Sequence, residues 1–168
     1  PEEGHPYACV VDGSRGKGLD YSAFQIIDVS EMPYKQVCVF RDNFVTPVEY
    51  AEIIYRTAML YNEATCLIEI NDIGEQVSEL LHYEFEYENI LFTESAGRAG
   101  RRISAGFSKG VDKGIRTTKT VKSIGCSILK LLVEQEQLII NDHNTIEELS
   151  RFSRKGSSYE AESGTHDD

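Results

Sequence analysis

Two acidic residues stand where folded proteins rarely place an unpaired charge. Asp12 follows an apolar run that begins at Tyr7 and precedes a glycine-rich turn carrying two cations, and Glu69 lies between two isoleucines. A buried carboxylate is costly to desolvate unless a cation, a metal ion or several hydrogen-bond donors meet it. The plainer interpretations are that Asp12 announces a turn and that Glu69 is exposed at a sheet edge. A third acidic signal, Asp168 or its neighbour Asp167, favours a functional acidic site.

The chemistry open to such carboxylates is that of a divalent cation. Two adjacent carboxylates repel each other, and the pKa of one rises unless cations neutralise them. Oxygen ligands without a cysteine or histidine cage favour Mg²⁺ or Mn²⁺. Two such ions, roughly 3.5–4 Å apart, can activate a water and stabilise the leaving oxygen of a phosphodiester. If the acids meet in the fold, they therefore indicate metal-dependent phosphodiester hydrolysis.

Three strands are predicted to position the first of these acids. Residues 7–12, 22–29 and 34–40 are apolar, strand-like segments. The short link that contains Met32 and Pro33 predicts an antiparallel hairpin between the second and third strands. A three-stranded antiparallel meander is the simplest outcome.

A change of period then brings the second acid to the same sheet. From Pro47 the apolar residues recur at helical spacing, and residues 66–70 form a further apolar strand. A strand–helix–strand connection predicts a right-handed crossover into a parallel strand. This order can place Asp12 beside Glu69. It predicts an α/β fold of ribonuclease-H topology, in which a mixed sheet of three antiparallel strands followed by parallel strands is flanked by helices.

Further elements are expected along the rest of the chain. A second helix is predicted by apolar residues on one face, namely Val77, Leu80, Leu81 and Phe85. A strand at 89–92, a helix over 117–132 and a short strand at 138–140 follow. Thr145 and Glu148 have the spacing of a capping box and predict the start of a last helix.

The charge distribution points to a possible polyanionic partner. The chain carries a net charge of −11, yet residues 98–122 hold eight Lys/Arg against one acid, which gives this segment +7 and the remainder −18. The glycines at 97, 100, 106, 110 and 114 and the lack of an apolar period predict a long mobile loop here. Such a basic segment suits local contact with nucleic acid, although a merely solvated loop would have the same composition.

Other potentially reactive residues carry less information. The four cysteines are far apart in the sequence and lack zinc-site spacing, which predicts buried, reduced thiols: Cys9, Cys38, Cys66 and Cys126. Asp28 also follows apolar residues, but it lies beside a hairpin turn where we expect water to reach it. His166 could orient a water near the acids or belong to a helix start. No stretch approaches the roughly 20 apolar residues of a membrane span.

Four short motifs together resemble one protein family. They are Val-Val-Asp-Gly-Ser-Arg-Gly-Lys-Gly-Leu-Asp-Tyr at 10–21, Ile-Glu-Ile-Asn at 68–71, Thr-Lys-Thr-Val-Lys-Ser-Ile-Gly-Cys-Ser at 118–127 and Gly-Thr-His-Asp-Asp at 164–168. In this order and spacing the sequence is similar to the nuclease domain of the large terminase subunit, a DNA-packaging motor, from tailed bacteriophages of the T-even type.

The resemblance implies a site and a task. It implies a metal-dependent DNA endonuclease that cuts concatemeric viral DNA when packaging starts and ends, with Asp12, Glu69 and Asp168 as the catalytic triad. Mg²⁺ or Mn²⁺ would occupy a two-ion site held by these residues, Asp167 being an alternative ligand, and Asp20 and His166 would have lesser roles nearby. The candidate DNA-binding residues are Arg15, Lys17, Arg98, Arg101, Arg102, Lys109, Lys113, Arg116 and Lys119. The basic stretch 98–116 is unusually long for that family.

The same resemblance predicts the setting of the domain. Residues 1–168 would be a single nuclease domain from a longer chain, without its N-terminal ATPase domain, since no phosphate-binding Gly-x-x-x-x-Gly-Lys-Ser/Thr loop occurs. Expected partners are double-stranded DNA, the portal, the small terminase subunit and the ATPase domain of the full-length chain. We expect no membrane partner, homo-oligomers only in the assembled motor, and a location in the host cytoplasm at the capsid portal.

Two other readings stay open at this stage. The fold could serve another ribonuclease-H-like nuclease, such as a junction resolvase or a transposase-like enzyme, with the same metal chemistry. Alternatively, the chain could be a non-catalytic nucleic-acid-binding module in which the acids only cap elements or hold a structural ion.

Overall fold

The strand that ends in Asp12 lies inside a five-stranded mixed sheet. A computed structural model describes residues 1–14, 20–97, 100–106, 110–155 and 158–161, with side chains as far as residue 152. The strands are β1 Tyr7–Asp12, β2 Ser22–Asp28, β3 Tyr34–Asp42, β4 Thr65–Ile68, β5 Phe92–Ser95, β6 Arg101–Ser104, β7 Val111–Lys113, β8 Leu138–Ile139, β9 Phe152–Lys155 and β10 Ser158–Ala161. The helices are α1 Pro47–Leu60, α2 Gly74–Glu79, which continues into a π-helical turn Leu80–Glu84, α3 Lys119–Glu134 and α4 His143–Arg151.

The sheet has the order β4-β1-β2-β3-β8. The first three strands form the predicted antiparallel meander, and the hairpin between β2 and β3 contains a cis peptide bond before Pro33. Strand β4 pairs parallel to β1, and β8 pairs parallel to β3. The predicted crossover from the meander through α1 into a parallel neighbour of β1 is therefore confirmed.

One face of the sheet carries the main core. Inward residues of β1 and β2 pack beneath the buried face of α1, and the fully covered set includes Cys9, Val11, Phe24, Ile26, Tyr50, Ile54 and Ala58. Removing a large apolar side chain from water contributes about 1.5–3 kcal/mol each. The N-terminus of α1 is fixed by a capping box between Thr46 and Glu49, with Pro47 as the first helical residue. This packing holds β1 and β4 side by side.

The opposite face is covered less tightly. α3, which lies wholly within the described part of the chain, has no fully buried side chain. Between this face, α3 and α4 lies a cavity of about 370 Å³ lined mostly by apolar residues, among them Val10, Ile27, Leu132 and Leu149. Asp12 also lines this cavity, so the C-terminal end of β1 faces the loosely packed side of the sheet.

The described part of the basic segment is more ordered than the long mobile loop that its composition predicts. Its strands β6 and β7 join β5 in a three-stranded antiparallel sheet with the order β6-β5-β7, and α3 begins at Lys119. The Arg101 side chain, only 12% exposed, pairs with Asp112 and reaches the Thr93 hydroxyl at 2.8 Å. Arg102 pairs with Glu94 at 2.7 Å. Opposite charges on facing strands stabilise such pairing, and the sequence alone does not show which strands face each other.

The last helix starts earlier than the Thr145–Glu148 spacing predicts. Its N-cap is Asp142, whose carboxylate accepts from the Thr145 backbone N–H at 2.7 Å. Glu148 instead forms an ion pair with Arg41 of β3 at 2.7 Å. Because Glu148 pairs with Arg41, it does not cap the helix. The capping-box prediction is therefore wrong, since the N-cap lies three residues before Thr145.

The four cysteines are free thiols, as predicted. Cys9 and Cys66 are buried, whereas Cys38 and Cys126 are half-buried. Over the described ranges, none of the helices has the length and apolar character that crossing a bilayer requires.

The expectation that water reaches Asp28 is also wrong, because this residue is 7% exposed. Its carboxylate lies 2.8 Å from the His5 Nδ1 and also accepts from the Ser30 hydroxyl at 2.6 Å. Burial alone would raise the pKa of Asp28, but the hydrogen bonds from Ser30 and His5 outweigh it and lower this pKa to about 2. The hydrogen bond to Asp28 in turn raises the pKa of His5 above its ordinary 6.5.

We expect replacement of His5 by glutamine to cost more stability at about pH 5.5 than at about pH 8.5. Asp28 is ionised throughout this range, and His5 is positively charged only below its raised pKa. The ion pair therefore stabilises the fold most between about pH 4 and 6.5 and weakens as the pH rises through the pKa of His5. Urea unfolding at a series of pH values measures the difference.

The same substitution in an Asp28→Asn background serves as the control. There the cost of losing His5 should have little pH dependence, because the main negative partner is gone. A pH-independent cost in the wild-type background would contradict the assignment of this pair.

Candidate active site

Asp12 and Glu69 lie next to each other on parallel strands. Val11 pairs with Ile68, and the Glu69 N–H donates to the Val11 carbonyl at 2.8 Å, so the next residues along the two strands are the two acids. Paired residues of neighbouring strands share one face of the sheet, and the strands are about 4.8 Å apart. Both acids are partly exposed. Two residues 57 positions apart in sequence are thus brought together, as the sequence predicts.

The main chain at Asp12 is fixed by a buried tyrosine from α1. The Tyr50 hydroxyl lies 2.8 Å from the Asp12 carbonyl and 2.6 Å from the carbonyl of Ala23, the residue paired with Asp12 on β2. Burial raises the pKa of Tyr50, which keeps its hydroxyl protonated as a donor. The end of β1 is therefore held to β2 at the position from which the Asp12 side chain projects.

The main chain at Glu69 is fixed from its other edge. Ile115 pairs in parallel with Glu69: its N–H donates to the Ile68 carbonyl at 2.7 Å, and its carbonyl accepts from the Ile70 N–H at 2.9 Å. This short edge segment extends the main sheet beyond β4. Glu69 is consequently flanked by backbone on both sides, whereas an edge position is the simple expectation for a glutamate in a strand.

Two glycines press against the same stretch of backbone. A Cβ atom on Gly74 would lie 1.7 Å from the Glu69 carbonyl oxygen, and one on Gly114 would lie 2.3 Å from the Ile68 carbonyl oxygen. Gly114 also has φ +129°, which disfavours any side chain. Only glycine at these positions lets α2 and the segment that contains Ile115 approach β4 this closely.

The Glu69 carboxylate has one neighbour from the following turn. The Asn71 amide nitrogen donates to Glu69 Oε1 at 3.4 Å and to the Thr117 carbonyl at 3.0 Å. Asp72 follows with φ 51°, and the Gly74 N–H donates to the Asn71 carbonyl at 3.1 Å, which closes the turn into α2.

The donor set fits a hard divalent cation. Asp12 and Glu69 supply carboxylate oxygens from adjacent strands, and these are ligands of the type that Mg²⁺ and Mn²⁺ prefer. Over the described ranges, no group of three or more His, Cys, Asp or Glu side chains is arranged to hold a metal ion. The predicted third ligands, Asp168 and Asp167, and the predicted His166 lie outside the described residues.

Three predicted DNA-binding residues, Lys113, Arg116 and Lys119, are near in sequence to Ile115, which pairs with Glu69. Lys119 is the exposed first residue of α3, and Arg116 lies 3.5 Å from Glu75 and 3.8 Å from Asp112. Lys113 stacks over the exposed ring of Tyr83 at 4.5 Å. Arg101 and Arg102 direct their guanidinium groups to acids of their own small sheet, as described above. Four other predicted cations lie outside the described residues: Arg15, Lys17, Arg98 and Lys109.

Asp20 lies at the far end of the turn that follows Asp12. Its carbonyl accepts from the Ser14 hydroxyl at 2.7 Å, and the Ser22 hydroxyl meets the Ser14 N–H at 3.1 Å. These contacts bring the two ends of the glycine-rich turn together. Asp20 itself is exposed.

A cation missed by the sequence analysis lies in the same row of the sheet. Asp12 pairs with Ala23, and Ala23 pairs with Arg41 of β3, so Arg41 is two strands from Asp12. Its guanidinium stacks on Tyr21 at 3.9 Å and pairs with Glu148, and among the described residues its Nε is a buried nitrogen without a hydrogen-bond partner. The alternation of β3 was the available signal, but its register with β2 was needed to use it.

Comparisons with known proteins agree with this geometry. The sequence model of a family described as "Terminase RNaseH-like domain" matches residues 9–168. The large terminase nuclease from the thermophilic phage G20c with bound magnesium is 21% identical, with a TM-score of 0.73 over 99% of this chain and 77% of that chain. The form with bound cobalt is 19% identical with a TM-score of 0.71 at the same coverage. The form with bound zinc is 19% identical with a TM-score of 0.64 over 90% of this chain and 73% of that chain. The fold is thus ribonuclease-H-like, as predicted.

We expect Gly74→Ala to destabilise the protein by about 1–3 kcal/mol, because the new methyl group would collide with the Glu69 carbonyl oxygen, which strand pairing prevents from moving. Urea unfolding measures the change.

Gly125→Ala is the matched control. Gly125 lies within α3 and has nothing within 4 Å of an added Cβ, so alanine should raise stability by about 0.5–1 kcal/mol. Wild-type stability of Gly74→Ala would show that α2 does not approach β4 this closely.

Proposed function

We propose a function from the premise that this chain belongs to the terminase RNase H-like domain family: it is a metal-dependent nuclease that cuts DNA. The observation that carries the proposal is the in-register placement of Asp12 and Glu69 on adjacent parallel strands. Their mutual repulsion has no structural benefit unless a divalent cation binds between them. Membership of the family supports the same activity.

The residues that would hold the metal ions are Asp12, Glu69 and Asp168, with Asp167 as the alternative to Asp168. When bound, Mg²⁺ or Mn²⁺ would supply charge neutralisation at the scissile phosphate and activation of the attacking water. Asp12 and Glu69 would supply carboxylate oxygens from two paired strands, and Asp168 would supply a third carboxylate. Tyr50 would keep the Asp12 main chain in place, and Asp20 would close the turn beside it.

The DNA backbone would lie across the end of the sheet where β1 and β4 finish. Lys119, Arg116 and Lys113 are the described cations on the segment that runs past Glu69, since Ile115 of that segment pairs with Glu69. We assign them to DNA phosphates, without contacts to base edges. Arg101 and Arg102 would contribute less to DNA binding, because each forms an ion pair with a carboxylate of the small sheet.

The finer assignment is a packaging endonuclease of the T-even type. In this role the domain would cut concatemeric viral DNA at the start and end of genome packaging. An ATPase domain on the full-length chain, the portal and the small terminase subunit would be its partners, at the capsid portal in the host cytoplasm. The four motifs given above support this assignment.

We expect Asp12→Asn to abolish cleavage, because the amide removes the charge that would bind both ions. Unfolding temperature without metal should stay at or above that of the wild type, since a like-charge repulsion is relieved. Nicking of supercoiled and linear DNA in Mg²⁺, with a four-way junction as a third substrate, measures the activity.

Glu52→Gln on α1 is the matched control. It also removes one carboxylate from an acidic chain, but Glu52 pairs with Arg56 within the helix and should be dispensable for cleavage. Undiminished nicking by Asp12→Asn would refute the nuclease assignment, and cleavage confined to the four-way junction would favour a resolvase.

We expect the double variant Arg116→Gln, Lys119→Gln to flatten the salt dependence of DNA binding. Each lost phosphate contact should lower the slope of log affinity against log salt concentration by about 0.9. Fluorescence anisotropy with a DNA duplex at several salt concentrations gives the slope.

Lys130→Gln is the control on the same helix. Lys130 lies three turns further along α3, away from the segment that pairs with Glu69, so the slope should not change. A slope that responds equally to both variants would place DNA elsewhere on the protein.

A further inference from the structure

The backbone around Glu69 has almost no freedom to move. Val11 on one side and Ile115 on the other bond to this stretch of β4, while Gly74 and Gly114 contact it too closely for any side chain. A metal ligand in this position can therefore adjust only through its own side-chain torsions. Whatever fixes those torsions also fixes the direction in which the carboxylate points.

Asn71 is the described residue that contacts the Glu69 carboxylate from outside the strand pair. Its amide nitrogen reaches two acceptors, Glu69 Oε1 at 3.4 Å and the Thr117 carbonyl at 3.0 Å. Since both are acceptors only, both hydrogens of the amide are used and its oxygen must face away. The network thus determines the orientation of the amide as well as that of the carboxylate.

The second acceptor ties this network to the edge segment. Thr117 directly precedes Thr118, the N-cap of α3, whose hydroxyl accepts from the Val121 N–H. Two residues earlier, Ile115 pairs with Glu69. The Asn71 side chain therefore spans from the carboxylate to a carbonyl that is itself anchored at both ends.

Without such a contact, the two acids would favour an unproductive arrangement. Repulsion from Asp12 pushes the Glu69 carboxylate away from its neighbour, and the flexible side chain can turn towards solvent. A donor on Oε1 leaves Oε2 available for a cation and keeps the group in one orientation. Partners of this kind commonly change metal affinity by 10–100-fold when they are removed.

We propose that Asn71 is a positioning residue that holds the Glu69 carboxylate ready for a divalent cation by anchoring it to the Thr117 carbonyl. The proposal rests on the metal-dependent function proposed above and deepens it. Asn71 does not touch the substrate or the ion in this arrangement; it acts through Glu69.

Mn²⁺ binding by the whole chain without DNA provides the test. Isothermal titration calorimetry of Asn71→Ala should show an affinity for Mn²⁺ that is 10–100-fold weaker than that of the wild type. In nicking assays the Mg²⁺ concentration for half-maximal rate should rise in parallel, whereas the rate at saturating Mg²⁺ should fall less. Asn71→Ser retains one donor and should recover part of the affinity, and it serves as the test variant if Asn71→Ala does not fold.

Asn89→Ala is the matched control. The Asn89 amide likewise donates to a backbone carbonyl, that of Glu63 at 2.9 Å, but it contacts neither acid. Loss of this bond should leave the Mn²⁺ affinity unchanged.

The outcomes separate the two proposals. If the wild type binds Mn²⁺ and nicks DNA, but Asn71→Ala or Asn71→Ser has wild-type affinity for Mn²⁺, the positioning role is overturned and the nuclease assignment stands. If both Asn71 variants are less stable than the wild type but bind Mn²⁺ equally tightly, Asn71 has a structural role only. The positioning role is then overturned as well. If the wild type neither binds Mn²⁺ nor nicks DNA, both proposals fall together.

Discussion

The parallel pairing of β1 with β4 is the constraint on which the rest of the structure depends. It places two like charges side by side at Asp12 and Glu69, which opposes folding. Backbone pairing on both edges of β4 and the apolar packing of α1 hold the strands in register in spite of that repulsion. The protein therefore keeps two acidic residues together at one end of the sheet, and this end faces the looser packing of α3 and α4.

The small antiparallel sheet changes the meaning of the basic segment. Its strands match arginines with carboxylates across the ladder, as Arg101 does with Asp112 and Arg102 with Glu94. Part of a segment that looks like a cationic loop is thus an internally paired scaffold. After β7 the chain continues past Gly114, and Ile115 pairs with Glu69 at the edge of the main sheet. This scaffold positions the strand that carries Glu69, the metal ligand proposed above.

Sequence periodicity was sufficient for the parts of the fold that are local or nearly so. The meander, the crossover through α1 and the juxtaposition of Asp12 with Glu69 follow from strand-like runs and the handedness of the connection. Contacts made by polar residues from distant segments could not be read in this way. His5 contacts Asp28, 23 residues further along the chain, and Glu148 forms an ion pair with Arg41. Tyr50 fits the apolar face of α1 in the sequence, yet its hydroxyl lies within hydrogen-bond distance of two backbone carbonyls.

The site itself shows the same division. The acids stood out because a carboxylate in an apolar run is rare, whereas Asn71, Gly74 and Gly114 are ordinary turn residues in the sequence. Their roles depend on which backbone carbonyl each of them contacts. These contacts become known only when β4, α2 and the segment between β7 and α3 are placed together. The roles of the predicted residues beyond 161 stay predictions.

The internal charge pairing of the small sheet has a consequence for how often the protein would meet DNA, the substrate proposed above. Arginines neutralised by neighbouring carboxylates add little to the long-range field, which decays over about 8 Å at physiological ionic strength. The body of the protein outside residues 98–122 is at −18 and repels a polyanion at larger distances. Free encounter would accordingly be slow, and tethering near DNA, which can raise the effective concentration to millimolar levels, would decide when strands are cut. Scission would then be governed by delivery of the substrate and not by the speed of the chemical step.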